Sequence, residues 1–149
     1  MMKNLLVGMC VVFLASCCTP SYRDISYDAE YVHVVGEKYR TLEEFFIYGY
    51  SKDSNYETVD GYVIINEGIG GREILTKDPF PIGSVILVKR IMDCEGCLSS
   101  SKRIIVEIIS DESYSGEFIK LRDTGNVLVS HTKGGVVEMN PQLFESLAD

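Results

Sequence analysis

Cys94 and Cys97, in the run Asp93-Cys94-Glu95-Gly96-Cys97, have the spacing that most directly suggests chemistry in this 149-residue chain. Two thiols at that spacing can close a disulfide, or exchange one, because a close pair can depress one thiol pKa and supply the attacking thiolate. Exchange sites of the thioredoxin type sit at a helix N-terminus following a strand. Here the pair falls in an expected hairpin turn, and the neighbouring Asp93 and Glu95 raise a thiol pKa. A structural disulfide suits those neighbours better. Closing so short a loop contributes only about 2 kcal/mol, so the bridge would mainly fix the shape of the turn. A structural zinc site needs four ligands. Only Cys18, His33 and His131 could join the pair, and none has ligand spacing. Leu98 stands where a Cys-x-x-Cys-His haem attachment needs histidine. No metal and no other cofactor is expected.

Other catalytic patterns are thin. Gly68-Ile69-Gly70-Gly71-Arg72-Glu73 is spaced somewhat like a phosphate-cradling loop, but Glu73 occupies the place of the last glycine and no helix follows, so a sheet turn is expected. There is no Gly-x-Ser-x-Gly elbow and no His-Glu-x-x-His helix, and the chain has two histidines. A binding role is therefore expected before an enzymatic one. Eight of the nine tyrosines lie between residues 22 and 62. Tyrosine joins a large apolar face to a polar tip and is favoured at interfaces. Ordinary half-buried packing beneath a sheet is the first expectation for this bias. If there is an interaction face, Tyr39, Tyr48, Tyr50 and Tyr56 are its candidates.

Fourteen basic against twenty-two acidic residues give a net charge of −8. That balance excludes a general nucleic-acid binder, which needs a basic surplus to neutralise phosphates. It also disfavours electrostatic docking on anionic lipid and suits a basic partner reached by steering.

The N-terminus is of another kind. Lys3 precedes an uncharged apolar run over 5–14, the length of a secretory signal core and too short for a spanning helix. The run ends in Leu14-Ala15-Ser16-Cys17, which resembles the lipobox of bacterial lipoproteins: an aliphatic residue, two small residues and a cysteine. The resemblance covers residues 1–17. It implies lipid on the Cys17 thiol, cleavage between Ser16 and Cys17, and acylation of the new amino group. Two or three chains make a durable anchor where one is marginal. In enterobacterial lipoproteins an aspartate after the lipidated cysteine favours the inner membrane; Cys18 stands there, which implies the outer membrane as the address.

These signals divide the chain into a signal peptide (1–16), a lipidated tether (17–30) and one β-rich domain (31–149). Alternating or β-branched runs predict strands over 31–35, 62–65, 84–91, 103–109, 117–122, 127–130 and 136–139. Thr41-Leu42-Glu43-Glu44 fits a capping box opening a short helix over 42–50. Asn140-Pro141 fits an N-cap followed by proline, opening a terminal helix over 141–147. The expected fold is mostly β (α+β): a small antiparallel sheet, or a partly closed SH3-like barrel. The expected function is that of a lipid-anchored envelope protein that binds a protein partner, such as an envelope-complex component or a cationic protein it inhibits. The competing reading is thiol–disulfide exchange at Cys94 and Cys97.

Overall fold

The computed structural model describes residues 20–97, 102–123, 125–130 and 135–147. The proposed lipidation site Cys17, with Cys18 and His131, lies outside the described residues. Alternation of apolar and polar side chains builds the centre of the fold. In β7 (Lys102–Ile108), Ile104, Val106 and Ile108 are buried while Arg103, Ile105 and Glu107 turn to the opposite face. In β8 (Ile119–Arg122), Ile119 and Leu121 are buried while Lys120 and Arg122 face away. The longest strand is β6 (Val85–Glu95), which pairs antiparallel with β7 and adds Ile86, Val88 and Ile91 to the core.

Around this centre lie β1 (Ser21–Asp24), β2 (Lys38–Thr41), β3 (Phe45–Tyr50), β4 (Gly61–Ile65), β5 (Ile74–Phe80) and β11 (Phe144–Ser146). The nine strands run in the order β11-β2-β6-β7-β8-β4-β3-β5, with β1 also on β6. A separate ribbon, β9 (Leu128–Ser130) with β10 (Val137–Met139), adds Val137 and Met139 to the same core. The fold is mostly β, as expected. The sheet is mixed, because β4 and β8 pair in parallel, and it is not closed into a barrel: β11 and β5 are its free ends.

One edge of β6 is covered piecewise. β1 pairs with its last four residues and β2 with its first three. Between them, Ile25 N donates to Ile91 O and Ile91 N donates to Ser26 Oγ. Further along, Gly36 N donates to Val88 O and Val88 N donates to Glu37 O. Residues 21–26 are thus built into the sheet, with Ile25 and Ser26 each 3% exposed. This corrects the expected tether of 17–30: the folded domain begins by Ser21.

Three expected elements differ. Residues 42–50 form no helix. Thr41 donates its hydroxyl to Pro81 O instead of capping, and β3 runs between β4 and β5 with Phe45 and Ile47 on the core face. Residues 31–35 form helical turns (Val34 N and Val35 N both donate to Tyr31 O) because Tyr31 and Val34, three apart, are the pair that reaches the core. At the C-terminus, Asn140 does accept Gln142 N on its side chain and Phe144 N on its carbonyl. The turn stops there, because Phe144 pairs with Thr41 and stacks on Phe45 at 5.4 Å.

Candidate functional site

The face of the sheet turned away from the core gathers cations. Arg103 in β7 lies directly opposite Arg122 in β8, and Lys120 lies beside Val63 of β4 in the parallel pair. Like charges opposite one another across a strand pair are destabilising, so this register places repulsion at one spot. Two tyrosines close the ends. Tyr22 of β1 stands beside β6, opposite Cys94, and its ring takes the Arg103 guanidinium at 3.5 Å. Tyr50 of β3 takes Lys120 Nζ at 4.7 Å from its ring centre and accepts its hydrogen bond on the hydroxyl. Such cation–π contacts each contribute about 0.5–2 kcal/mol.

Together these side chains line a cleft of about 310 Å³. Among the described residues its lining holds the outward cations Arg103, Lys120 and Arg122, two tyrosines, Val63 and Leu121, and no carboxylate. Lys102 also borders the cleft, but it stands two residues from the inward Ile104 and lines a second cleft with Tyr31 on the other side, where burial pushes that phenol's pKa up. The ion pairs among the described residues lie elsewhere: Arg23–Glu95, Arg40–Glu145 and Lys89–Glu107. Residues 98–101, outside the described residues, are Leu-Ser-Ser-Ser and carry no charge.

Cys94 and Cys97 stand at disulfide distance, with Cα atoms 5.8 Å apart, where β6 turns toward β7. Gly96, at φ +81°, supplies the left-handed residue that the turn needs. Neither sulfur residue is fully buried, and the neighbouring Glu95 carboxylate is engaged by Arg23 at 3.1 Å.

The four tyrosines picked out from the sequence do not form one face. Tyr39 is a core residue, 6% exposed, and burial first, then Glu37 and Glu138, push its pKa up to about 12. Tyr48 is 1% exposed on the opposite sheet face, under Lys77, with its hydroxyl unpartnered. Tyr56 sits in a loop at φ +55°. Tyr50 alone of the four lines the cleft. His33 is exposed on the 31–36 turns. Sequence reasoning missed Tyr22, Arg103, Lys120 and Arg122. The usable signal was alternation: with Ile104, Ile119 and Leu121 inward, those three cations share the outward face. Comparison of the chain with protein-family models, with curated proteins and with solved structures found no match.

Proposed function

We propose that the chain is a lipid-anchored cell-envelope protein, held by acylated Cys17 with the outer membrane as its address, that acts by binding a protein partner. The observation that carries this reading is the polarity of the sheet along β6. Strand β1 starts four residues after Cys17, and Ser21 pairs with Glu95, so an anchor at Cys17 would enter near that end of β6. The other end of this eleven-residue strand is about 33 Å away. There Ile82, Ile109 and Leu42 are 65%, 48% and 40% exposed. Gly83 N donates to Thr41 O, and Ile109 N to Val85 O, which brings the three segments together. Apolar side chains grouped on a surface suit the centre of a protein interface. An anchored domain would present that end away from the bilayer. The net charge of −8 would steer a cationic partner toward it.

Cross-linking in the native envelope followed by affinity purification tests the reading. A specific partner should be captured by the wild type and lost with Ile82→Asp/Ile109→Asp. Capture of the same partner by both proteins would remove the distal end from the account. A second reading, thiol–disulfide exchange, draws support from the accessible Cys94–Cys97 pair. A Cys94→Ser/Cys97→Ser variant separates the two, since exchange must vanish and partner capture must survive.

A further inference from the structure

We infer that the cleft between Tyr22 and Tyr50 binds the phosphate of an anionic phospholipid headgroup in the same bilayer that holds Cys17. This rests on the lipid-anchor reading above, and it concerns the end of the sheet opposite the partner-binding tip. Tyr22 lies five residues after Cys17, so its Cα is at most about 18 Å from the lipidated residue. The cleft is therefore tied within reach of the headgroup layer whatever the conformation of the intervening residues.

Its chemistry matches that layer. Arg103 and Arg122 stand opposite each other with no ion pair to either among the described residues. An anion between them would turn mutual repulsion into two charge-assisted interactions, and guanidinium groups can meet phosphate oxygens in bidentate fashion. Lys120 adds a third donor from the neighbouring position. Tyr22 and Tyr50 flank the cations with rings whose polar tips and apolar bodies suit the membrane–water boundary. A chain of net charge −8 that gathers, beside its anchor, cations with no ion-pair partner among the described residues would orient on an anionic surface with its acidic remainder turned away.

The test uses the full protein purified from membranes in a non-ionic detergent. The intact mass of that preparation reports on Cys17. Calorimetric titration then compares dihexanoyl phosphatidylglycerol, dihexanoyl phosphatidylcholine and inorganic phosphate at fixed low salt. The expected result is saturable binding of the glycerol lipid, at least about tenfold tighter than of the choline lipid or free phosphate, and weakened about tenfold or more by Arg103→Gln/Arg122→Gln. Where circular dichroism shows that double variant misfolded, the exposed single variant Arg122→Gln serves in its place. Equal binding of the two lipids, or unchanged binding by the variant, would overturn the inference. Inorganic phosphate binding as tightly as the glycerol lipid would assign the cleft to a soluble phosphate compound instead. An unlipidated Cys17 would refute the anchor reading and with it the membrane source, while the titration still reports what the cleft binds.

Discussion

Removing the Ser26 hydroxyl asks whether residues 21–26 belong to the fold or to a tether. Ser26 is 3% exposed, and its Oγ accepts the backbone N–H of Ile91 at 3.0 Å. Ile91 is itself 0% exposed, and no other strand residue reaches that N–H, because β1 ends at Asp24 and β2 pairs only as far as Leu87. In Ser26→Ala the amide stays buried with nothing to donate to. Leaving one such group unsatisfied costs about 1–3 kcal/mol. For a chain of this size that lowers Tm by about 4–12 °C. The assay is urea and thermal unfolding followed by far-UV circular dichroism, with the slope on urea unchanged so that the midpoint reports stability. A change within about 0.5 kcal/mol, the usual effect of a surface substitution, would refute the reasoning and return the segment to the status of a tether.

Three further outcomes follow from the same contacts. Gly49→Ala should destabilise by about 1–3 kcal/mol in urea unfolding, because the new methyl would lie 2.5 Å from Thr76 Oγ1 and 3.1 Å from a Val59 methyl. The Ser26 hydroxyl and amide hold the Asp24 carboxyl below its ordinary 3.8. The unfolded chain therefore binds that proton first, and the resulting stability is present above pH 3.8 and lost as pH falls through the lower folded value. Unfolding of Asp24→Asn measured across acid pH should show a shallower decline than the wild type; equal slopes would contradict the assignment. Tyr39, with its pKa raised from 10.0 to about 12, contributes the opposite way: its share of stability is complete below pH 10 and is lost as pH rises toward 12. Phenolate absorbance should show Tyr39 ionising late, and Tyr39→Phe should flatten the alkaline loss.

The strands most legible in the sequence are β6, β7 and β8, whose alternation of buried and outward side chains survives in the structure. β4 was legible from its β-branched Val63-Ile64-Ile65 run, although Ile64 and Ile65 are both buried. β3 was not legible because both its faces are covered: Phe45 and Ile47 on the core side, Tyr48 on the other. A strand buried on both sides reads as an unbroken apolar run, which a buried helix also produces. β5 was hidden by Thr76-Lys77-Asp78-Pro79, residues that a strand tolerates at the edge of a sheet, where β5 lies. The Asn140 cap was read correctly as local chemistry, yet its helix ends after one turn because the pairing of Phe144 with Thr41 comes from 103 residues away. The cleft was illegible for a related reason. A net charge of −8 sums over the chain, whereas the opposition of Arg103 to Arg122 exists only once β7 and β8 are in register.

The central claim is that this domain works from a lipid anchor at Cys17, and intact mass spectrometry of protein purified from membranes, alkylated without reduction, tests it most directly. The account predicts a chain beginning at Cys17, carrying the added mass of acyl chains, with one alkylated thiol at Cys18 and a bridged Cys94–Cys97 pair. A mass that includes residues 1–16, or a cleaved chain with no lipid on Cys17, would contradict it.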